Sequence, residues 1–223
     1  MQTETVIPIF PLGLVLLPQM SLPLHIFEDR YKQMTQACLA HDRVFGIVYF
    51  DGKQFKSKGC TARIVKILKR YDDGRLDIIT KGESRFRIKE LYDQKPYSEA
   101  SVEFFDDQPQ ESSDSKEMKK LARTCIELLK QINAMTGQYS DAEFDDRLEA
   151  KSVSFLAAAC DGFSYQEKQL FLEMTTTAKR LQKTSKALEK LVYRLSITQE
   201  IERIIGGNGN LPESLKDGVK PEH

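Results

Sequence analysis

Apolar and polar residues follow the short period of β-strands over much of the first hundred positions. Thr5–Phe10 is a short apolar run, and Val44–Phe50 is a continuous one, as expected of a strand that is buried on both faces. Leu12–Leu24 is also apolar, but prolines interrupt it, and we interpret it as a loop. Glu28–His41 carries apolar residues on one helical face, which predicts an early helix.

A tight hairpin is predicted around Asp73-Gly74. These two residues separate the alternating run Ala62–Ile67 from a second run that begins at Leu76. Tight hairpin turns need a positive φ angle, which glycine adopts at little cost. Gly82 interrupts the pattern, and two further short strands are predicted beyond it, at Phe86–Ile88 and Ala100–Phe104. About six short strands of this kind indicate a small closed or half-closed barrel.

The period changes to that of helices in the second half of the chain. Apolar residues recur every three or four positions over Met118–Met135, and Gly137 is expected to end this helix. Further helices are predicted over Arg147–Cys160, Tyr165–Glu173 and Thr176–Ile205. The third of the four is expected to begin with a capping box, because Ser164 precedes it and Glu167 occupies its third position.

The last predicted helix is long. Its inward-facing stripe is expected to consist of leucines and one isoleucine, at Leu181, Leu188, Leu191, Leu195 and Ile201. A glycine-rich stretch from residue 206 is expected to end it. The acidic, aperiodic segment Phe104–Glu117 separates the two kinds of pattern. The sequence therefore predicts an α+β protein with a β-rich lobe over residues 1–108, a helical bundle over 109–206 and a disordered tail over 207–223.

Composition argues against a membrane protein. The mean hydropathy is −0.44, and the longest early apolar stretch, Val6–Leu17, is shorter than the roughly 20 residues that a helix needs to span a bilayer. This stretch also lacks the basic leader and cleavage site of a secretory signal. We therefore expect a cytoplasmic location.

The four cysteines and three histidines show no metal-binding spacing. The cysteines, Cys38, Cys60, Cys125 and Cys160, are far apart, whereas structural zinc sites use closely paired ligands. We expect free buried thiols, no metal and no cofactor.

An ordered set of short motifs resembles the amino-terminal substrate-binding domain of the Lon protease. In the first half these are Phe10-Pro11-Leu12-Gly13, Val15–Pro18, Leu22–Leu24, Ile26–Tyr31, Gly46-Ile47, Gly59–Ala62, Asp73–Arg75, Gly82–Phe86, Pro96-Tyr97 and Ala100–Val102. In the second half they are Asp161–Ser164, Glu167–Glu173 and Arg180-Leu181. The resemblance extends over about residues 5 to 205.

The resemblance implies a fold and a role. The first lobe should be a pseudo-barrel of the PUA-like type, and the second should be a helical bundle that ends in a long helix. The role implied is that of a stand-alone module that grips unfolded or tagged protein. The chain has no Gly-x-x-x-x-Gly-Lys-Ser/Thr loop for ATP and no room for the Ser-Lys peptidase domain of Lon, so we expect it to be non-catalytic.

Leu12–Leu24 is the first candidate for a binding surface. An exposed apolar patch is what binds unfolded chains, and Leu14, Leu17 and Met20 are the residues that we expect to line it. The alternative is that this segment closes the end of the barrel.

The excess of basic residues between Lys53 and Lys89 is the second candidate. PUA-like folds include RNA-binding proteins, and a phosphate-facing strip is conceivable at Lys66, Lys69, Arg70, Arg85, Arg87 and Lys89. The alternative is an ordinary solvated strand face. We favour unfolded or specific client proteins as partners, with an ATP-dependent protease as a possible recipient, over nucleic acid.

Overall fold

The computed structural model describes residues 5–109, 116–137 and 148–207. Within these ranges, the β-rich lobe consists of six strands and one helix, namely β1 (Thr5–Leu12), β2 (Ser21–Ile26), α1 (Asp29–Ala40), β3 (Phe45–Phe50), β4 (Phe55–Arg70), β5 (Leu76–Tyr92) and β6 (Glu99–Phe105). The helical lobe contains α2 (Lys116–Thr136), α3 (Ala150–Ala159), α4 (Tyr165–Glu173) and α5 (Thr177–Gly207). The predicted α+β fold with a long final helix is confirmed.

The sheet closes on itself through β5. The order of the strands is β2-β5-β4-β3-β1-β6, and β5 also pairs with β6, so β5, β4, β3, β1 and β6 form a ring. One edge of β5 pairs with β4, while the other edge pairs first with β2 and then with β6. Closure removes most of the free sheet edge and leaves β2 outside the ring as an added strand.

Two strands are much longer than the sequence pattern predicts. β4 has 16 residues and β5 has 17, and β5 runs through Gly82, where we predicted a break between two short strands. That prediction is wrong because Gly82 lies within a continuous strand, where the absence of a side chain allows the backbone of the loop to approach closely. A Cβ atom at Gly82 would lie 2.1 Å from the carbonyl oxygen of Leu17.

The segment Leu12–Leu24 is only partly a loop. Leu12 ends β1, and Ser21 begins β2, so the loop itself is confined to residues 13–20. Two backbone hydrogen bonds hold it against β5. The amide of Gln19 donates to the carbonyl oxygen of Gly82 at 2.8 Å, and the amide of Gly82 donates to the carbonyl oxygen of Met20 at 2.9 Å.

β4 contains irregularities that change its period. Its pairing with β5 shifts register between Ile64 and Lys66 and again between Ile67 and Lys69. At a β-bulge two residues face one residue of the partner strand, so side chains of the same face recur every three positions instead of every two. Ile64 and Ile67 pack against the core, whereas Val65 and Leu68 are exposed.

The helices agree closely with their sequence signals. α2 ends at Thr136, and Gly137 follows with a φ of 65°. The boundaries of α4 are those predicted, and its capping box between Ser164 and Glu167 is present. α3 begins at Ala150, while the predicted start, Arg147, lies outside the described residues.

The inward stripe of α5 ends earlier than predicted. Leu181, Leu188 and Leu191 are buried and Leu195 is partly buried, but Ile201 is 49% exposed, so its predicted inward position is wrong. The helix has 31 residues, about 46 Å at 1.5 Å per residue. Its apolar period continues along this length, but beyond Leu195 its apolar residues Ile197, Ile201 and Ile205 are exposed.

The two lobes share one hydrophobic core. One cluster of buried residues runs from Phe10 in β1 to Leu191 in α5, and a second, smaller cluster lies within the β-rich lobe and consists of Ile7, Ile9, Val48, Phe86, Ala100 and Val102. All four cysteines are buried and free, two of them in each lobe. In their described residues, the two parts predicted as 1–108 and 109–206 are therefore lobes of one packed unit, while most of the predicted tail, from residue 208 onward, lies outside the described residues.

Candidate functional site

A buried network of charged groups joins the two lobes. Asp107, just after β6, accepts hydrogen bonds from Arg85 of β5 at 2.6 Å and from Arg180 of α5 at 2.6 and 3.1 Å. The side chains of the two arginines are 1% and 0% exposed. Asp107 therefore pairs with two buried guanidinium groups that come from different lobes, and the exposed Asp106 adds a second, longer contact to Arg85 at 3.3 Å.

Backbone carbonyl groups complete this network. Arg85 donates to the carbonyl oxygens of Leu172 and Met174, and Arg180 donates to the carbonyl oxygen of Met174 at 2.8 Å. Arg180 also lies over the ring of Phe155, 3.8 Å from its centroid. Because a guanidinium group presents five donors in a fixed plane, the network fixes the connection between α4 and α5 against β5.

The charge of Asp107 is favoured by its neighbours. Burial raises the pKa of this carboxyl group, but hydrogen bonds from Arg180 and Thr177 and the charges of Arg180 and Arg85 lower it. The net result is a pKa below the ordinary value of an aspartate, so Asp107 is ionised at neutral pH.

A cleft of about 670 Å³ lies beside this network, between the lobes. The loop contributes Pro18 and Gln19, β5 contributes residues 81–85, the end of β6 contributes residues 104–106, and the start of α3 contributes residues between 149 and 155. Two contacts hold α3 in place, one from Gln19 Nε2 to Ser152 Oγ at 2.8 Å and one from Lys151 Nζ to Asp106 Oδ2 at 2.5 Å. Phe104 is 45% exposed, so the wall of the cleft offers an aromatic surface.

The three residues predicted to line a peptide surface have different environments. Leu17 is completely buried, so it cannot present its side chain to a ligand and is withdrawn from the surface. Leu14 and Met20 pack against the core but stay partly exposed. The segment packs against the core and also contributes Pro18 and Gln19 to the cleft, and its role as a peptide-binding surface or as a cap on the barrel stays a prediction.

The six basic residues proposed as one strip do not form one. Arg85 is buried in the network between the lobes and is not available to a phosphate. Arg87 and Lys89 face Glu103 of β6, and the shorter contact, from Lys89, is 2.6 Å. The remaining three residues, Lys66, Lys69 and Arg70, lie near the other end of the β4–β5 hairpin.

The cleft itself was missed at the sequence level. Its lining comes from four separate stretches of the chain, and only the loop residues had an apolar signal. In the sequence, Phe104 lies both at the end of a predicted strand and at the start of the acidic segment. Neither position indicates a binding residue.

None of the helices in the described part of the chain has the length and apolar character needed to cross a membrane. Among residues 5–109, 116–137 and 148–207, no three side chains of His, Cys, Asp or Glu come together as a metal site.

Comparison with known families decides the relationship. The model of the ATP-dependent protease La (LON) substrate-binding domain matches residues 6–190, which is most of the chain. The chain belongs to the Lon substrate-binding domain family. Its β-rich lobe followed by a helical lobe agrees with the fold of solved Lon N-terminal domains.

Curated relatives and solved structures agree with this assignment. Lon protease 2 of Myxococcus xanthus is 26% identical over 216 residues, which cover 91% of this chain and 26% of that protein. The Lon N-terminal domain protein of Xanthomonas campestris has a TM-score of 0.61 at 24% identity, and covers 80% of this chain and 96% of its own. The N-terminal domain of the Mycobacterium avium complex Lon protease has a TM-score of 0.66 at 17% identity, with 83% and 98% covered.

The match concerns one part of the Lon relatives. This chain spans about a quarter of the length of the curated Lon proteases that it matches, and the matched part is the substrate-binding domain. The ATPase and peptidase activities of a whole Lon protease are therefore not carried over to it by the comparison.

Proposed function

We propose that this protein is a non-catalytic module that binds segments of unfolded or specific client proteins in the cleft between its two lobes. The observation that carries the proposal is the cleft of about 670 Å³, which has exposed Phe104 in its wall. Ligand sites are usually concave and combine apolar or aromatic walls with a few polar groups. Membership of a substrate-binding domain family supports a protein as the ligand.

The loop of residues 13–20 extends the proposed surface. Leu14 and Met20 are partly exposed on the loop that also supplies Pro18 and Gln19 to the cleft. Methionine adapts its shape to different partners, which suits a site that accepts varied sequences. We propose a role as an adaptor in protein quality control in the cytoplasm, with delivery of clients to a separate ATP-dependent protease.

Replacing Phe104 by serine is expected to weaken capture of a permanently unfolded model protein, reduced and carboxymethylated α-lactalbumin, by about tenfold. An aromatic anchor near the centre of an interface commonly contributes about 1.4 kcal/mol or more, which is a factor of ten in Kd. Binding is measured by fluorescence anisotropy with the labelled model protein. The double variant Leu14→Ser/Met20→Ser tests the loop in the same assay.

The matched control is Phe55→Ser. Phe55 is 38% exposed on the β3–β4 hairpin and does not line the cleft, so this variant should bind as the unmodified protein does. Circular dichroism spectra and Tm values of each variant establish that the fold is intact. Equal binding by Phe104→Ser and Phe55→Ser would place the client elsewhere, and no binding by the unmodified protein would refute the proposed function.

A further inference from the structure

The outward face of the β2, β5 and β4 strands carries apolar residues that the core does not use. Val65 and Leu68 are each 53% exposed, Pro23 is exposed, and Ile79 is half-buried. Isolated exposed apolar residues are normal, but neighbouring ones on a sheet face indicate a contact surface. The two irregularities of β4 place Val65 and Leu68 there, because each adds one residue to the outward face.

The pairing of the strands makes these residues neighbours. Ile79 of β5 is paired with Pro23 of β2 on one side and with Lys66 of β4 on the other. Val65 precedes Lys66 within the first irregularity, so it faces the same residue, Ile79. One row across the three strands is therefore apolar and ends in a lysine.

The next row lies two residues further along β5. Asp77 is paired with His25 of β2 and with Lys69 of β4, and Leu68 precedes Lys69 within the second irregularity. Rows on the same face of a sheet are about 6.6 Å apart, which is also the spacing of alternate side chains in an extended chain. We call these two rows, with the flanking basic residue Lys81, the hairpin surface.

Most basic residues of the hairpin surface lack a carboxylate partner. Within the described parts of the chain, no Asp or Glu forms an ion pair with Lys66 or Lys81. Lys69 lies over the ring of Tyr71, 4.4 Å from its centroid. Basic residues elsewhere on β4 and β5 are compensated, for example Arg63 by Glu83 at 2.6 Å.

We propose that the hairpin surface binds an extended protein segment in which aliphatic side chains alternate with Asp or Glu. The apolar side chains of Pro23, Ile79, Val65 and Leu68 contact the aliphatic side chains of the segment, and its carboxylates pair with Lys66, Lys69 and Lys81. Charge complementarity of this kind gives selectivity among partners and is weakened by salt. Single-stranded nucleic acid fits less well, because it could use the basic residues and the rings of His25 and Tyr71 but would leave Val65 and Leu68 without an apolar partner.

This inference rests on the proposed function and names a class of client for it. It also places a second contact outside the cleft, because only Lys81 belongs to both surfaces. Variants of the hairpin surface and of Phe104 therefore test the two contacts separately.

The test uses three fluorescein-labelled peptides of about twelve residues with the full protein. One alternates Leu with Glu, the second alternates Leu with Lys, and the third alternates Ser with Glu. We expect the Leu/Glu peptide to bind at least about tenfold more tightly than either of the others in about 50 mM salt, as one factor of ten in Kd is about 1.4 kcal/mol. Its affinity should fall at about 300 mM salt, because exposed charges are screened.

Two double variants should each lower the affinity for the Leu/Glu peptide by about tenfold or more. Lys66→Glu/Lys69→Glu reverses the charge, and Val65→Ser/Leu68→Ser removes the apolar contact. The matched control for the charge reversal is Lys183→Glu/Lys186→Glu, which changes two exposed lysines of α5 and should leave binding unchanged. Because all of these side chains are exposed, the variants should keep the Tm of the unmodified protein.

Specific results would overturn the inference. Equal affinity for the Leu/Glu and Leu/Lys peptides would remove the acidic preference. Unchanged binding by both hairpin variants would show that the hairpin surface does not contact the peptide. If Phe104→Ser then loses binding, the client binds in the cleft and the proposed function stands without the hairpin surface. Tighter binding to single-stranded RNA or to phosphatidylserine vesicles than to the Leu/Glu peptide would also contradict the inference. Failure of the unmodified protein to bind any unfolded protein would instead refute the proposed function.

Discussion

Replacing Asp107 by asparagine is expected to lower the free energy of unfolding by about 3–5 kcal/mol, the usual cost of removing one partner from a buried ion pair. The substitution leaves the guanidinium group of Arg180 buried without an ion-pair partner, and it leaves Arg85 with only Asp106, an exposed carboxylate at 3.3 Å. Domains of ordinary stability unfold with about 5–15 kcal/mol, so the loss is a large fraction of the total. Urea unfolding followed by far-UV circular dichroism measures it.

The matched control for this substitution is Asp73→Asn. Asp73 forms an ion pair with Arg75 at 2.7 Å, but the pair is exposed at the tip of the β4–β5 hairpin. Exposed ion pairs contribute about 0–1 kcal/mol, so this variant should unfold close to the unmodified protein. A similar loss of unfolding free energy in both variants would show that burial of the network does not determine how much its ion pairs stabilise the fold.

The effect of Asp107→Asn should depend on pH in a defined direction. The folded-state pKa of Asp107 is below its unfolded value of about 3.9, so its charge stabilises the protein fully above that pH. As pH falls through the folded-state pKa, the carboxylate is protonated and this stabilisation is lost. The difference between the variant and the unmodified protein, measured by urea unfolding, should therefore be constant between pH 6 and 8 and should shrink in strong acid.

Replacing Gly82 by alanine is expected to lower the free energy of unfolding by about 3 kcal/mol, near the upper end of the usual cost of overpacking. The added Cβ atom would lie 2.1 Å from the carbonyl oxygen of Leu17, which is backbone and cannot rotate away. The loop of residues 13–20 must move, and the paired hydrogen bonds of Gly82 with Gln19 and Met20 are disturbed. Because this loop carries Pro18 and Gln19 into the cleft, capture of the unfolded model protein should fall as well.

Gly13→Ala is the control on the same loop. A Cβ atom at Gly13 meets no atom within 4 Å, and its φ is not in the left-handed region. The same chemical change should therefore alter stability by no more than about 0.5 kcal/mol. Thermal and urea unfolding of the two variants compare them directly, and equal destabilisation would contradict the proposed close approach of Gly82 to Leu17.

Local signals predicted the elements that depend on neighbouring residues. The capping box of Ser164 and Glu167 fixed the start of α4, and the Asp73-Gly74 turn adopts the positive φ that its glycine permits, 84° at Gly74. In both cases the residues that interact are within a few positions of each other. The Lon resemblance was carried by many such short motifs, and the family assignment is confirmed.

Features that depend on distant residues were not predictable from the pattern. Arg85 looked like a solvent-facing strand residue, but its partner Asp107 is 22 residues away, and Arg180 is 73 residues beyond that. Leu17 is apolar, and both an exposed binding residue and a core residue are expected to be apolar. Its residue type therefore did not distinguish the two roles. The cleft joins four stretches of the chain, and no local period describes such a surface.

The buried cysteines provide internal reporters of unfolding. Burial raises the pKa of Cys38 and Cys125 to about 11 and that of Cys60 to about 12, and only the thiolate form reacts with alkylating reagents. Cys38 and Cys60 lie in the β-rich lobe, whereas Cys125 and Cys160 lie in α2 and just after α3. Pulsed alkylation followed by mass spectrometry would therefore report separately on the opening of each lobe, in the natural sequence and without an added label.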